Sequence, residues 1–444
     1  MMRFLVVLVA LLSFAAGQGG YSYATDTYSW DDLQPFEALE LAGEELTILG
    51  PLTGPDAAIL DSVLEYFRSA TGVSVVYEGS DAFEQQIVSA VQGGSPPDIA
   101  VFPQPGLAAD LAAQGYLTPL DDADADWLRE TYAAGESWLE LSSFNDENGD
   151  VQLFALPYKV DLKSLVWYSP QAFDEAGYRV PRSFEGLLEL SEQIVEDDAA
   201  PWCIGLGAGE ATGWPATDWV EDILLRSAGA DIYDAWVAHD VPFDNAAVVE
   251  AIEIFGQFAK NEDWLNVAPE QLADVDYRDA ATGLFSNPPQ CYLHHQASFI
   301  PSFFPANTEL GEDADFFYFP EFAAETDTPV LGAGTLWAMT EESEAARALF
   351  DFLKTPLAHE LWMAQGGFLT PHTGVNTNLY LNDTLRGQGD ILLNATTFRF
   401  DASDLMPGAI GAGAFWQTMI DYVSTDMDAA EAAAQIEAVW EGLE

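Results

Sequence analysis

Apolar residues in the first quarter of the chain fall in short runs and helical stripes that alternate with each other. Residues 46–50 form an apolar run that predicts a buried strand, and the turn 51–54 follows it. Ile59, Val63 and Phe67 then recur at helical spacing until Gly72, which predicts a helix that ends there. The alternation continues with predicted strands at 73–77 and 98–102 and predicted helices at 81–91 and 106–114. Strands separated by helices of this length predict an α/β fold with a parallel, doubly wound sheet.

The pattern changes at residues 154–168, which form one long extended run with few breakers. We expect this run to cross from one lobe to another, because 444 residues with 49% hydrophobic content are enough for two cores. Further along, the spacing predicts helices at 169–176, 183–196, 218–227, 343–353, 414–423 and 429–443, and strands at 316–319 and 331–339.

The N-terminus has the composition of an export signal. A single positive charge at Arg3 precedes an apolar run at 4–16, which is too short to span a bilayer. Small residues allow cleavage after Gly17 or after Ala24, and we assign residues 1–24 to the signal peptide. The alternative is an uncleaved anchor helix.

Charge excludes one class of partner. The chain has 14 Lys and Arg against 73 Asp and Glu, a formal net charge of −59 that is spread along the sequence. Such a surface repels a polyanion, so nucleic acid is not expected as a partner. The excess also favours a saline or acidic habitat, where counter-ions or protons reduce self-repulsion.

Two cysteines, Cys203 and Cys291, are too few for a disulfide-rich miniprotein. An exported chain meets oxidising conditions, which favours one disulfide. Two separate buried thiols remain the alternative, because spacing in sequence does not show whether the Cα atoms come within bonding reach.

Several short motifs, in their order and spacing, resemble one known family. They are Ser-Pro-Pro-Asp-Ile at 95–99, Gly-Tyr-Leu-Thr-Pro-Leu at 115–120, Leu-Pro-Tyr at 156–158 and Val-Pro-Arg-Ser-Phe-Glu-Gly-Leu at 180–187. Together they resemble the extracellular solute-binding proteins that include maltose-binding protein, over nearly the whole chain from residue 45. The segments 291–299 and 201–203 look most like the α-glucoside-binding branch.

The resemblance implies two doubly wound α/β lobes joined by hinge crossovers, with a carbohydrate bound between them. It implies lobe one at 45–156 plus 319–381 and lobe two at 158–318 plus 382–444. Both cysteines then fall in lobe two, which fits a disulfide between them. The implied partners are the sugar and the membrane permease subunits of an ABC transporter, with no cofactor. We further expect an exported monomer, in the periplasm or at the cell surface, that does not insert in the membrane once the signal is removed.

A sugar presents hydroxyls and C–H faces, so its cleft combines polar side chains with aromatic rings. Most candidates are loop positions at strand ends or helix starts. The ligand-facing loop with Tyr292, His295 and Gln296, and the position of Trp416, are implied by the resemblance. The full set of expected contacts is Leu52, Thr53, Asp81, Gln104, Gly334, Thr335 and Phe368 on lobe one, Tyr158 and Lys159 at the crossover, and Trp214, Asp218, Trp219, Tyr292, His295, Gln296 and Trp416 on lobe two.

Each candidate has a structural alternative. The tryptophans can pack in a core, Asp81 and Asp218 can be helix N-caps, and Lys159 can be an ordinary solvated side chain. A metal site at His294 and His295 is not expected, because adjacent strand residues face opposite ways and no second ligand pair completes a zinc set.

Two other function classes are open at this point. A secreted glycoside hydrolase also has a sugar cleft with paired carboxylates. The chain contains no G-x-S-x-G nucleophile elbow, P-loop, H-E-x-x-H or dinucleotide motif, so acyl transfer and cofactor chemistry are not indicated. A chemosensory sugar-binding protein differs from a transport protein in its partner. We expect a binding protein that closes on its sugar and passes it to the permease, and not an enzyme.

Overall fold

A computed structural model describes residues 27–80, 82–322 and 329–443 of the chain. The predicted signal peptide at 1–24 and the candidate Asp81 lie outside the described residues. Among the helices that are described, none combines the length and the apolar character needed to cross a bilayer.

The described chain contains eleven strands in three sheets. The sheets have six, three and two strands. The strands are β1 Glu45–Gly50, β2 Ser74–Gly79, β3 Ile99–Phe102, β4 Ser143–Asn145, β5 Val151–Leu153, β6 Ala155–Leu162, β7 Leu165–Tyr168, β8 His294–His295, β9 Asp315–Tyr318, β10 Val330–Met339 and β11 Phe398–Phe400.

Eighteen α-helices surround the sheets in the described residues, together with short 3-10 segments and a π-helical stretch at Ala409–Phe415. The helices are α1 Gln34–Glu37, α2 Gly54–Thr71, α3 Phe83–Gln92, α4 Pro105–Ala113, α5 Asp122–Thr131, α6 Gly135–Leu141, α7 Pro170–Ala176, α8 Phe184–Glu196, α9 Trp214–Ala228, α10 Ala230–Val237, α11 Ala246–Ala259, α12 Tyr277–Ala280, α13 Glu344–Leu353, α14 Pro356–Met363, α15 Asp383–Asn394, α16 Ala402–Leu405, α17 Trp416–Ser424 and α18 Ala429–Glu441.

The larger sheet has the strand order β11-β10-β3-β1-β2, with β6 also paired to β10. Strand β1 is parallel to β2 and β3, whereas β10 is antiparallel to both β3 and β6. All four residues of β3 are buried, as expected for a central strand with helices on both faces. The predicted α/β fold class is confirmed, with sheets of mixed strand direction.

The smaller sheet has the order β8-β7-β9, with β7 antiparallel to both neighbours. Its apolar face packs with residues of α8, α9, α11 and α18 in one buried cluster, which includes Trp202 and Phe258. Cys203 and Cys291 form a disulfide with their Cα atoms 5.5 Å apart, which decides between the two alternatives left open by the sequence.

Three segments connect the two lobes, and they lie side by side. The N–H of Lys163 donates to Leu331 O, the N–H of Phe319 donates to Ser164 O, and the N–H of Asp401 donates to Gly332 O. These hydrogen bonds make the three crossovers one joint between the lobes.

The pairing of strands in the larger sheet indicates where the boundary between the lobes lies. Strand β6 stays paired with β10 as far as Leu162, and β11 pairs with β10 at Phe398–Phe400. The family resemblance implies that residues 158–162 and 382–400 belong to lobe two. We propose that the crossovers lie at Lys163, Phe319 and Asp401, which adds both of those segments to lobe one.

Candidate functional site

Lys163 lies where the chain leaves the larger sheet, at the centre of a buried ionic group. Its Nζ is 2.9 and 3.0 Å from the two carboxylate oxygens of Asp218 and 3.0 Å from an oxygen of Asp401. Asp218 lies one turn inside α9, and Asp401 follows β11. Lys163 therefore links the first crossover, the third crossover and a helix of lobe two.

Two more carboxylates complete this arrangement, which we call the Lys163 group: Lys163, Asp218, Glu221, Asp401 and Asp404. Glu221 accepts the backbone N–H groups of Ala402 and Ser403 at 2.8 and 3.2 Å, at the start of α16. Asp404 accepts a hydrogen bond from the Gln104 side chain, which comes from the start of α4 in lobe one. The group therefore has four carboxylates for one ammonium and touches both lobes.

The four carboxyl groups differ in pKa, and therefore in which of them keeps its charge. Burial raises the pKa of Asp218 and Glu221 well above the usual range, and the neighbouring Asp401 charge raises both further. The pKa of Asp404 is raised by the same two causes. Burial opposes ionisation of Asp401 as well, but Lys163 and hydrogen bonds from its neighbours lower its pKa to about 2. Asp401 is the carboxylate that keeps its charge beside Lys163.

Asp218, Glu221 and Asp401 place ligand oxygens within 4.8 Å of one another, close enough to share a cation. The chain itself already supplies the positive partners, because Lys163 contacts two of them and backbone N–H groups contact the third. We therefore interpret the group as an internal ion-pair network and not as a metal centre.

Two indole rings border the Lys163 group. The Lys163 ammonium lies 4.5 Å from the ring centroid of Trp214, which is half-buried, and Trp416 donates from Nε1 to Ser403 at 3.3 Å. Gly213 has φ +119°, and a Cβ added there would lie 2.6 Å from the backbone oxygen of Trp416. Glycine is required at this position, since the chain passes so close to Trp416 before entering α9.

A second polar group surrounds Lys159, which lies four residues before Lys163 on the same face of the strand. Its Nζ contacts both oxygens of Asp161 at 2.8 and 2.9 Å, and its N–H donates to Thr335 Oγ1 at 3.3 Å. Ser298 of lobe two donates to Asp161 at 3.3 Å. Burial would lower the pKa of Lys159, but the charges of Asp161 and Asp56 raise it overall. Lys159 is 5% exposed, so its alternative as a solvated side chain is wrong.

Several predicted contacts lie around these two groups. Gly334 pairs with Val160 in the larger sheet, and Leu52 and Thr53 precede α2, whose first turn carries Asp56. Burial raises the pKa of Asp56, an effect that the Lys159 charge partly offsets. The predicted residues that the structure brings to this region are Leu52, Thr53, Gln104, Lys159, Trp214, Asp218, Gly334, Thr335 and Trp416. Asp218 lies inside α9, so its alternative as an N-cap is wrong.

Other predicted contacts belong to the cores. Tyr158 is fully buried, donates to Ala358 O at 2.7 Å and packs on Phe368, itself 1% exposed. Trp219 is 2% exposed and stacks near His295, whose Nε2 lies 3.1 Å from Asp222. These four side chains support the fold instead of lining an open surface.

The remaining two candidates lie elsewhere on lobe two. Tyr292 packs on Tyr178, beyond the end of α7, and takes no part in the Lys163 group. Gln296 is buried beside the first crossover, where its N–H donates to Leu165 O and its side-chain oxygen accepts the N–H of Ala297.

Sequence reasoning missed Lys163, Asp161 and Asp401. One available signal was the alternation Lys159-Val160-Asp161-Leu162-Lys163, since residues two apart on a strand face the same side. Three charged side chains on one face of an otherwise apolar strand are costly unless they meet partners there. Asp401, Glu221 and Asp404 carried no comparable signal, because they stand among 73 acidic residues.

Comparisons with known proteins agree with this architecture. The family described as "bacterial extracellular solute-binding protein" matches residues 50–359. The alpha-glucosides-binding periplasmic protein AglE of Rhizobium meliloti is 55% identical over 419 residues, covering 94% of this chain and 91% of AglE. The osmoprotective compounds-binding protein GgtB of Synechocystis is 39% identical over 398 residues, covering 89% of this chain and 92% of GgtB.

Solved structures give the same fold. The solute receptor AcbH superimposes with a TM-score of 0.72 at 20% identity, over 90% of this chain and 98% of AcbH. Maltose-bound MalE3 of T. maritima gives 0.66 at 14% identity, over 92% of this chain and 100% of MalE3. From the family match and the AglE identity, the chain belongs to the bacterial extracellular solute-binding proteins.

Proposed function

We propose that this protein is the substrate-binding component of an ABC importer and captures an α-glucoside between its lobes. The observation that carries the proposal is the surface at the joint, where the half-buried indoles of Trp214 and Trp416 adjoin the Lys163 group. Aromatic faces bind the C–H patches of a sugar, and carboxylates accept hydrogen bonds from its hydroxyl groups. The relationship to AglE supports an α-glucoside as the ligand.

The charges favour a neutral glycoside. Both lysines of the joint are already paired, Lys159 with Asp161 and Lys163 with Asp218 and Asp401. A sugar phosphate or uronate would find no unpaired ammonium among these residues, so it would lose hydration without gaining an ion pair. A neutral sugar has no such cost.

Closure follows from how the polar side chains are distributed. Gln104 and Thr335 belong to lobe one, whereas Trp214, Asp404 and Trp416 belong to lobe two. A ligand that contacts both sets is bound fully only when the lobes approach each other about the three crossovers. Its binding therefore shifts the population towards the closed state, which the permease recognises.

We also propose that the protein is exported with removal of residues 1–24 and is located in the periplasm or at the cell surface. It acts as a monomer and delivers its sugar to permease subunits. The family consists of binding proteins and not of enzymes, so the hydrolase alternative is set aside. A chemosensory role would use the same cleft with another membrane partner, and uptake of labelled sugar by permease vesicles with and without the protein distinguishes the two.

A thermal-shift panel on the mature protein tests the ligand class. Maltose, trehalose and sucrose are compared with cellobiose, which has the same glucose units as maltose in β-linkage, and with glucose 1-phosphate. At a hundredfold excess over Kd, a ligand stabilises the folded state by about 2.7 kcal/mol. We expect a concentration-dependent rise with an α-glucoside and none with cellobiose or the phosphate. Equal shifts with maltose and cellobiose would contradict the α-glucoside assignment.

A further inference from the structure

Asp404 is the member of the Lys163 group that faces lobe one. It lies in α16, shortly after the third crossover, and accepts a hydrogen bond from the Gln104 side chain at the start of α4. Gly106 in the first turn of α4 lies so close that a Cβ added there would be 3.2 Å from the backbone oxygen of Asp404. The Asp404 carboxyl therefore lies at the boundary between the lobes and is covered by both.

Asp404 differs from its buried neighbours in its contact with solvent. Asp218 is 3% exposed and Glu221 is 0% exposed, whereas Asp404 and its partner Gln104 are half-buried. A half-buried carboxyl at a lobe boundary loses hydration when the lobes approach each other or when a sugar displaces water beside it. Loss of hydration disfavours the charged form of a carboxyl group.

The charges that act on Asp404 come from both lobes. Asp401 is a negative neighbour and Lys163 a positive one, and Glu84, in the first turn of α3 in lobe one, is a second negative neighbour. The Lys163 ammonium is shared, because it is already paired with Asp218 and Asp401 at 2.9 and 3.0 Å. Asp404 therefore has two anionic neighbours and no ammonium of its own.

The other elements packed against α16 are α9, α10, β11, α4 and the π-helical stretch. Glu221 of α9 accepts backbone N–H groups, the Tyr233 hydroxyl of α10 donates to a backbone oxygen of β11, and Arg399 of β11 is paired with a carboxylate of α10. Asp110 of α4 is exposed, and the π-helical stretch has no titratable side chain. The three charges of the previous paragraph are therefore the ones that face Asp404.

The effect of lobe one on Asp404 has a definite sign. Burial and the charge of Asp401 raise the pKa of the Asp404 carboxyl well above its usual range, and Glu84 raises it further, whereas Lys163 and the Gln104 hydrogen bond lower it in part. Separation of the lobes would readmit water and move the Glu84 charge away. The carboxyl therefore holds its proton more tightly when the lobes are together than when they are apart.

We infer that capture of the sugar is linked to protonation of Asp404, so that the protein takes up one proton from solvent as the lobes close and releases it as they open. This inference rests on the proposed function and adds pH as a regulator of it. A group that binds its proton more tightly in the closed, sugar-bound state favours that state at low pH. Affinity for the sugar therefore falls as pH rises through the titration range of Asp404, by at most about tenfold per pH unit for one proton.

Calorimetric titrations of the mature protein with maltose, trehalose and sucrose, each in phosphate and in Tris at pH 7.5, count the protons. Tris has a large enthalpy of ionisation and phosphate a small one, so the difference in observed heat gives the number of protons taken up per sugar bound. We expect wild-type protein to take up about 0.3 to 1 proton, and to bind its sugar about four- to hundredfold more weakly at pH 8 than at pH 6.

Two variants isolate the Asp404 carboxyl. Asp404→Asn keeps an acceptor for Gln104 but cannot titrate, and we expect it to take up no proton and to have the same affinity at pH 6 and pH 8. Glu84→Gln removes the lobe-one charge that favours the protonated form, and we expect it to take up fewer protons at pH 7.5. Asp244→Asn, at an exposed carboxylate of lobe two outside the Lys163 group, is the matched control and takes up the wild-type number.

Each failure has its own result. Sugar binding by wild-type protein without proton uptake would overturn the inference and leave the proposed function standing. Uptake that persists unchanged in Asp404→Asn would also overturn it, because the linked proton would belong to another group. If none of the three sugars binds, the proposed function fails and the inference fails with it. The half-buried Glu84→Gln keeps the test open if Asp404→Asn does not reach a melting midpoint near that of wild type.

Discussion

Replacing Lys163 by methionine removes the one ammonium in the Lys163 group and keeps much of the side-chain volume. Two contacts of about 3 Å link this ammonium to Asp218 and Asp401. At an effective dielectric constant of about 20, the contact with Asp401, the carboxylate that keeps its charge, is worth about 5 kcal/mol before the desolvation of the ions is subtracted. Desolvation takes back several kcal/mol, and breaking a buried pair from one side costs about 3–5 kcal/mol overall.

The loss in Lys163→Met should depend on pH, and its sign follows from the carboxylates. Without Lys163, the folded-state pKa of Asp401 rises above that of the unfolded chain, and the pKa of Asp218, which burial already raises, rises further. Stability from a group with a raised pKa is present at low pH and is lost as pH rises through the folded pKa. We therefore expect a deficit of about 3–5 kcal/mol at pH 8 that is about 1–2 kcal/mol smaller at pH 5.

Urea unfolding of wild-type and variant protein, followed by tryptophan fluorescence at both pH values, measures this deficit. The double variant Lys163→Met with Asp401→Asn is the matched control, because it also removes the carboxylate that keeps its charge. It should recover part of the stability at pH 8. A deficit below about 1 kcal/mol, or one equal at pH 5 and pH 8, would refute the view that Lys163 neutralises a buried acidic group.

Three further perturbations separate the site from the core. Trp214→Ala should weaken sugar binding, measured by calorimetry, about tenfold with little loss of stability. Trp219→Ala, in the core, should lower the unfolding free energy, measured in urea, by about 3–5 kcal/mol. If the two variants had equal effects in both assays, this division would be contradicted. Burial lowers the pKa of His294 to about 4, so its contribution to stability is lost as pH falls from about 6.5. The stability difference between wild type and His294→Leu should shrink by about 2 kcal/mol from pH 7 to pH 5, and a constant difference in urea titrations would count against it. Replacing Cys203 and Cys291 by serine opens a loop whose ends are 88 residues apart in sequence, and should lower the free energy of unfolding by about 2–5 kcal/mol. Urea unfolding of both proteins without reductant measures the difference. Unchanged stability would show that the bond contributes little.

Periodicity along the sequence was sufficient for most elements of the larger sheet. The stripe of Ile59, Val63 and Phe67 lies in α2, which ends at Thr71 with Gly72 in the left-handed region, as predicted. The extended run 154–168 was correctly predicted, and it divides into β6 and β7. The helix predicted from residue 218 begins at Trp214, because Pro215 suits a first turn and its N–H is not needed there.

The site was harder to predict, because its residues meet through tertiary contacts. Trp214 and Trp219 are the same residue type with similar neighbours in sequence. Nevertheless, Trp214 borders the Lys163 group, whereas Trp219 is buried near His295. Five positions along α9 leave the two side chains about 140° apart around the helix axis, so the helix start decides which of them faces the joint. Asp401 contacts Lys163 because the third crossover lies beside the first, a tertiary arrangement that the local sequence does not encode.

A calorimetric titration of the mature protein with α-linked and β-linked disaccharides tests the central claim most directly, followed by chromatography of the recovered ligand. We predict saturable binding of an α-glucoside with a Kd near 1 μM, about −8 kcal/mol, no heat with cellobiose, and recovery of the intact sugar. Saturable binding of cellobiose, absence of binding by every α-glucoside, or recovery of free glucose would contradict it.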